Sequence, residues 1–160
     1  MNAAIVRYVR STYNVLIGGS TADRVKREIG TVWTEGQPEK TVEVKGRNLV
    51  TGLPQKITLS SYELEMPLRI EVERIITALQ SVMEQTPPEL VADIEKNGLL
   101  MTGGGAMLDG LDKLITSRVR IRAHLAENPI EAVAIGTGKS FEYLGKLYDG
   151  FVSYTNYSSR

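Results

Sequence analysis

The sequence has no cysteine, which excludes a disulfide scaffold, a thiolate metal site and a catalytic thiol. Its single histidine, His124, has no metal-ligand or Ser-His-Asp partner at a recognisable spacing. Neither sign of charge is in excess, since 19 basic and 19 acidic side chains give a net charge of 0. Nucleic-acid-binding domains usually carry a basic excess, so we expect no nucleic-acid partner.

Long apolar runs are also missing from the sequence. No stretch of 18 apolar residues is present, and the first residues lack the pattern of a signal peptide. We therefore expect a cytoplasmic chain that does not insert into a membrane. The 160 residues, 42% of them hydrophobic, are enough for one domain or two small lobes with a buried core.

The first third of the sequence predicts two helices followed by a small antiparallel sheet. Apolar residues recur at helical spacing over 2–16, and a second helix, capped by Ser20 or Thr21, should end at a left-handed Gly30. From residue 31 the apolar period changes to two, which is typical of strands. The predicted strands lie at 41–44, 49–50 and 57–59, with a turn at 45–48.

A long helix is predicted next, because Ser60 and Glu63 have the spacing of a capping box. In that motif each side chain accepts a hydrogen bond from a backbone N–H at the helix start. Pro67 falls early in this helix and either starts its main part or kinks it. The helix should end just before Pro87, and a short helix should cover 89–96.

The second half alternates strands and helices, which is typical of an α/β unit. The predicted elements are a strand at 98–101, a glycine-rich turn at 103–105, a helix over 106–114, a strand at 118–123 and a helix from Pro129 to 144. This order suggests a larger lobe that the chain leaves at about Gly18 and rejoins near Pro87.

The strongest local feature is the run Gly103, Gly104 and Gly105 between a strand and a helix. Ligands in open α/β sheets bind at the carboxyl ends of strands, and glycines let a ligand approach the backbone. The alternative is a tight strand-to-helix turn, for which one glycine is usually enough. The residues alone leave both interpretations open. The run is not a dinucleotide fingerprint, since Leu108 stands where Gly or Ala is required.

Two other motifs are better explained by a structural role than by a ligand-binding one. The segment 136–140 reads Gly-Thr-Gly-Lys-Ser, like the end of a phosphate-binding loop, but Val133 stands where the first glycine is needed. We predict a helix there, with its small residues packed closely on a neighbour. The arginines within 118–122 alternate with Val119 and Ile121, which predicts that the arginines face solvent and the apolar residues face the core.

Several motifs, in this order and spacing, closely resemble the MreB family of bacterial actin-like cell-shape proteins. They fall between about residues 3 and 145, at 13–18, 21–23, 26–30, 46–54, 86–90 and 102–106. The resemblance implies an α/β fold that is the C-terminal half of an actin-like ATPase fold, with a small inserted α+β lobe. It implies a large-lobe part (actin-like subdomain IIA, incomplete) at 1–17 and 86–147, an inserted lobe (subdomain IIB) at 18–85, and a polar tail at 148–160.

The resemblance also implies a nucleotide site, for ATP or ADP with Mg²⁺ in the complete protein. The residues that match the helix closing over adenine and ribose are Asp23, Arg24, Val25 and Lys26, a cluster whose composition alone indicates a solvated helix face. Lys26 is the expected polar contact. The residues that match the turn contacting adenosine and the phosphates are Gly103, Gly104, Gly105, Ala106 and Met107. No catalytic residue and no Mg²⁺ ligand is expected in this chain, because the resemblance assigns them, with the phosphate loops, to the other half.

The function that the resemblance implies is self-association into filaments that guide lateral wall synthesis and maintain rod shape. Such filaments would be membrane-associated through membrane-anchored cell-elongation proteins. We expect negligible ATPase activity from this chain alone. Two other functions stay open: a stand-alone interaction module that docks on full-length filaments or a membrane partner without using nucleotide, and a metabolic enzyme of the actin-like superfamily, such as a sugar kinase.

Overall fold

The computed structural model describes residues 1–142, and the fold is stated for that part of the chain. In chain order the elements are α1 (Asn2–Tyr13), β1 (Val15–Leu16), α2 (Gly19–Ile29), β2 (Thr41–Asn48), β3 (Pro54–Ser60), α3 (Ser61–Gln85), α4 (Pro88–Asn97), β4 (Leu99–Met101), α5 (Leu111–Val119), β5 (Ala123–Leu125) and α6 (Ala132–Glu142). A 3₁₀ turn, Gly104–Met107, precedes α5. The predicted polar tail and the predicted end of the last helix at 144 lie outside the described residues. The division into two lobes stays a prediction.

One apolar core joins the first three helices, the sheet and α5. The helical spacing that predicts the buried faces is confirmed, since Ile5 and Val9 of α1 are both fully buried. The other fully buried apolar side chains are Val15, Ala22, Val25, Val32, Leu59, Leu64, Leu68, Val72 and Leu114. Each large aliphatic side chain in this set contributes roughly 1.5–3 kcal/mol by burial.

The ends of α1 and α2 differ from the predicted ones. α1 stops at Tyr13, with Asn14 in the left-handed conformation, because the next two residues pair with β2. α2 begins at Gly19 without a side-chain cap, so the predicted cap from Ser20 or Thr21 is wrong. Gly30 does end α2, but in an extended conformation with φ −67°, not a left-handed one.

The antiparallel sheet has the order β1–β2–β3, and it places Val44 opposite Ile57 on the buried face. The predicted turn at 45–48 is wrong, because β2 continues to Asn48 and the turn lies at 49–53. Gly46 is the reason. A Cβ there would lie 2.4 Å from Val15 Cγ1, so this glycine permits the close approach of β1 and does not mark a turn.

α3 begins at Ser61 and runs unbroken through Pro67 for 25 residues. The predicted capping box is confirmed: the Ser60 N–H donates to Glu63 Oε1 at 2.9 Å, and the Glu63 N–H donates to Ser60 Oγ at 3.3 Å. The predicted short helix that follows is also confirmed, as α4. Within residues 1–142 no helix is both long enough and apolar enough to cross a membrane.

The strand predicted at 118–123 is wrong. α5 continues to Val119, because Leu114 and Ile115 extend the buried helical face, and the strand β5 begins only at Ala123. β5 pairs in parallel with β4, as expected of an α/β unit. The burial prediction holds, since Ile121 is buried and the three arginines are exposed.

The helix predicted over 106–114 is divided in two. The 3₁₀ turn ends at Met107, and α5 begins at Leu111 after a left-handed Gly110. The last helix forms as predicted but starts at Ala132. Its glycines do not pack closely on a neighbour, since a Cβ at Gly136 or Gly138 would meet nothing within 4 Å.

The helices α1 and α3 pack antiparallel, and polar contacts fix their register. Arg7 in the middle of α1 pairs with Glu71 at 2.7 Å, whereas Tyr13 at its end donates a hydrogen bond to Glu63 Oε2 at 2.7 Å. This hydrogen bond, followed by partial burial, raises the pKa of Tyr13 to about 12. Tyr8 also donates to Glu63, at 3.4 Å.

We predict that Tyr13 makes the stability of the fold fall between about pH 10 and pH 12. A tyrosine in the unfolded chain has a pKa near 10, so the raised pKa of Tyr13 stabilises the fold fully below that pH and no longer above about 12. The free energy of unfolding of wild type and Tyr13→Phe, measured by urea denaturation, should differ by a constant amount up to about pH 10 and converge by about pH 12. In a Glu63→Gln background this convergence should vanish, and its persistence there would contradict the assignment.

Candidate functional site

A cavity of about 550 Å³ lies between α2 and the glycine-rich turn. It brings together five of the residues predicted for the nucleotide site, although about 80 residues of sequence separate the two groups. They are Asp23, Lys26, Gly104, Gly105 and Met107. The volume falls within the range of roughly 300–1,000 Å³ that is typical of small-molecule sites.

The α2 wall of the cavity carries a fixed carboxylate. Asp23 accepts hydrogen bonds from Lys26 at 2.9 Å and from Asn2 of α1 at 3.1 Å, and it pairs with Arg27 at 2.7 Å. Lys26, followed by Asn2, holds the pKa of Asp23 below its ordinary value. The i, i+3 and i, i+4 spacing on a helix explains why both cations reach the same carboxylate.

The opposite wall includes the backbone of Gly104 and Gly105. A Cβ added at Gly104 or Gly105 would meet no atom within 4 Å, so these glycines leave open space next to the cavity. Gly103 has φ +83°, and its N–H donates to the Pro129 carbonyl at 2.6 Å. The turn therefore needs one glycine for its conformation, whereas the next two keep the wall open.

The cavity is lined by both charged and apolar side chains. Lys40 and Asp109 pair at 4.0 Å, and Lys26 lines the same cavity. Met107 and Ile130 line the cavity with largely exposed apolar side chains. A ligand with one flat apolar part and one polar, charged part could contact both kinds of side chain.

Four of the predicted residues do not line the cavity. Arg24 is not among the lining residues, although its ion-pair partner at 3.1 Å, Glu28, is, and Val25 is fully buried in the core. Gly103 and Ala106 lie in the turn, and they shape the wall without facing the space.

Several lining residues are not among those predicted from the sequence, chiefly Arg27, Lys40, Asp109 and Ile130. Arg27 and Asp109 lie within two residues of predicted ones, so an extension of each segment would have included them. Lys40 and Ile130 belong to no motif, and only the fold places them here. Within residues 1–142 no three His, Asp or Glu side chains are grouped so as to hold a metal ion.

We predict that Gly104→Ala and Gly105→Ala leave the fold intact, because the added methyl groups enter open space. The free energy of unfolding should change by less than about 0.5 kcal/mol. Gly46→Ala is the matched control, since its Cβ would collide with Val15, and it should cost about 2 kcal/mol or more. A loss at Gly104 or Gly105 as large as that at Gly46 would mean that these glycines serve packing.

Comparison with known proteins agrees with the fold. A family model described as MreB/Mbl protein matches residues 1–149. The cell shape-determining protein Mbl of Bacillus subtilis (strain 168) is 43% identical over 143 residues, which are 89% of this chain and 43% of the relative. The cell shape-determining protein MreB of Escherichia coli (strain K12) is 43% identical over 141 residues, 88% of this chain and 40% of the relative.

A solved structure, MreB5 of Spiroplasma citri bound to AMPPNP, superposes with a TM-score of 0.86 at 32% identity, over 91% of this chain and 43% of that protein. The same protein bound to ADP gives a TM-score of 0.84. This chain thus spans about two-fifths of the length of the relatives that it matches. The expected partial actin-like fold is confirmed, and the chain belongs to the MreB/Mbl family.

Proposed function

We propose that the cavity of this chain forms one side of an adenine-nucleotide site. We also propose that the chain carries both surfaces of an end-to-end contact through which a cell-shape protein assembles into filaments. The observation that carries the first part is the shared cavity of Lys26 and the glycine-rich turn. The similar MreB5 of Spiroplasma citri binds AMPPNP and ADP, which supports a nucleotide as the ligand.

Each wall suits a different part of the nucleotide. Met107 and Ile130 offer apolar surface to the base, whereas Asp23 accepts a hydrogen bond from a ribose hydroxyl and Lys26 donates one. Gly104 and Gly105 let phosphate oxygens approach the backbone. Mg²⁺, which proteins usually hold with one or two carboxylates together with the phosphates, would accompany the nucleotide in the complete protein.

The end-to-end contact follows from the shape of the molecule. We call residues 49–53, the turn between β2 and β3, the hairpin tip. Its Leu49 N–H donates to the Asn14 carbonyl at 2.8 Å, which anchors the tip beside the end of α1 and therefore at the Ser61 end of α3. Val50 and Leu53 protrude there, 81% and 66% exposed.

The opposite end of the molecule carries a matching depression. The end groove, about 510 Å³, lies where the last turns of α3 meet α4 and the corner after α5, and it includes Met83, Val91 and Ile121. α3 is 25 residues long, so about 37 Å of helix separates the tip's end from the groove's end. A protruding apolar turn and an apolar groove at opposite ends form a head-to-tail contact, which repeats into a filament.

The tip itself, residues 49–53, carries no charged side chain. The hairpin, residues 41–60, carries Lys45, Arg47 and Lys56 against Glu43. The lining of the end groove includes Glu84 and Glu95 but also Arg118 and Arg120. Because these charges balance, charge does not set the direction of the contact, and burial of apolar surface is its main contribution.

In the whole protein, we propose, nucleotide held between this chain's cavity and a second lobe favours the assembling conformation. The filaments would lie in the cytoplasm along the membrane, joined to membrane-anchored cell-elongation proteins, and guide lateral wall synthesis in rod-shaped cells. The names of the relatives as cell shape-determining proteins support this role. Hydrolysis of ATP needs groups that clamp the phosphates and position the attacking water. The family resemblance assigns these groups to the other half of the protein, so we expect this chain to hydrolyse ATP no faster than buffer.

A second candidate function is favoured by the same tip and groove, which are built without any residue of the cavity. The chain would then act as an interaction module that docks on full-length filaments without nucleotide. Variants of the cavity and variants of the tip, made separately, distinguish the two functions.

For the cavity, we predict that Gly104→Val and Lys26→Met weaken the binding of AMPPNP, measured by calorimetry on the 160-residue chain, by about tenfold or more. The first fills the open wall and the second removes the polar contact. Gly19→Val on α2 and Lys45→Met on β2 are matched controls, since neither residue lines the cavity, and both should bind as wild type. Equal binding by all five proteins would place the nucleotide elsewhere, and absence of binding would favour the interaction module.

For the contact, we predict that Leu53→Asp abolishes concentration-dependent assembly in sedimentation velocity, because it buries an unpaired charge. Met66→Asp on α3 is the control, as Met66 is also 66% exposed but belongs to neither surface. Val91→Asp in the groove should be equally defective. A mixture of Leu53→Asp and Val91→Asp should stop at dimers, since each variant keeps one good end, and long assemblies of Leu53→Asp alone would contradict the proposal.

A further inference from the structure

The segment that follows α2 is joined to the corner that follows the glycine-rich turn. The Val32 N–H donates to the Asp109 carbonyl at 3.0 Å. The Thr31 hydroxyl, only 4% exposed, accepts from the Trp33 N–H at 3.1 Å and lies 3.2 Å from the same Asp109 carbonyl. We call this junction of residues 31–33 with residues 109–110 the inner junction.

Gly110 makes the inner junction possible. Its φ is +76°, and a Cβ there would lie 2.3 Å from Trp33 Cβ and 3.1 Å from Trp33 N. A side chain would therefore meet both an unfavourable backbone conformation and backbone that cannot move aside. The indole side chain of Trp33 is half-buried against the core at this point.

The inner junction lies directly behind the cavity and is continuous with both walls. Thr31 comes two residues after the end of α2, which carries Asp23 and Lys26. Asp109 comes two residues after the turn that ends at Met107, and its side chain lines the cavity. Any movement of one wall relative to the other must bend or break this junction.

We propose that Trp33 and Gly110 are positioning residues for the candidate site. Their contact sets the separation between Lys26 and the glycine-rich turn, and it transmits binding of a ligand on the turn to the orientation of α2. The identity of the ligand, an adenine nucleotide, rests on the proposed function. Neither residue lines the cavity, so both act through the residues on its walls.

Trp33 is the only tryptophan in the sequence, so its fluorescence reports the inner junction directly. In the wild-type chain, titration with AMPPNP should change the Trp33 emission with the same Kd that calorimetry gives. Emission that stays constant while AMPPNP binds would contradict transmission through the inner junction.

The variant that tests the positioning role is Gly110→Ala, with Gly36→Ala as its control. Gly36 also has a positive φ, +71°, but a Cβ there meets nothing within 4 Å, so the control has the backbone cost without the collision. We expect Gly110→Ala to weaken AMPPNP binding about tenfold and to speed amide hydrogen exchange at both 23–26 and 103–107 without ligand. Gly36→Ala should do neither, although it places alanine in the same unfavourable backbone conformation.

Thr31→Val keeps the volume of the side chain and removes the hydroxyl, so it serves if Gly110→Ala fails to fold. It should weaken AMPPNP binding about threefold and speed amide hydrogen exchange on both walls. Wild-type affinity and wild-type exchange on both walls in a folded junction variant would overturn the inference. If AMPPNP fails to bind wild type while exchange still rises on both walls, the ligand assignment fails and the mechanical coupling stands.

Discussion

The close backbone approach of residues 31–33 to residues 109–110 is the constraint on which the candidate site depends. It joins parts of the chain separated by 78 positions, and it places α2 opposite the glycine-rich turn. Its components are hydrogen bonds of 3.0–3.2 Å, together with one glycine whose missing side chain leaves room for Trp33. The apolar core also connects the two segments, but this junction is the hydrogen-bonded contact nearest the cavity.

The net charge is zero, but basic and acidic side chains are unevenly distributed along the molecule. Basic side chains gather on the β2–β3 hairpin, and carboxylates gather on the end of α3 and on α4, at the other end of the long axis. The antiparallel packing of α1 on α3, fixed by Arg7–Glu71 and Tyr13–Glu63, keeps these ends apart. The same packing that builds the core thus gives the molecule two different ends, which a head-to-tail contact needs.

Local chemistry made much of this fold predictable. The capping box at Ser60 has two reciprocal hydrogen bonds that depend only on residues three apart, so the start of α3 follows from sequence. Gly46 shows where local reasoning fails. It reads as a turn, but it serves the approach of β1, a contact between segments about thirty residues apart. The alternating residues at 118–123 mislead for a similar reason, because α5 continues along the core before the chain turns into β5.

Part of the candidate site was predictable from the sequence. The predictable residues lie in short local motifs, whereas the others reach the cavity only through tertiary contacts. Asp23, Lys26 and the glycines belong to short motifs, so a resemblance in sequence is enough to single them out. Lys40 and Ile130 reach the cavity only through the tertiary fold, and no motif surrounds them. The buried position of Val25 follows from the helical period, which places it on the core face of α2 between Asp23 and Lys26.

The central claim is that α2 and the glycine-rich turn form a single nucleotide-binding surface. The most direct measurement is a titration of the isotope-labelled chain with AMPPNP, followed through its backbone amide NMR signals. We predict that the amides of Lys26 and Gly104 shift together, with one shared Kd, while the amide of Gly52 in the hairpin tip stays in place. Shifts on only one of the two walls, or on neither at millimolar AMPPNP, would contradict it.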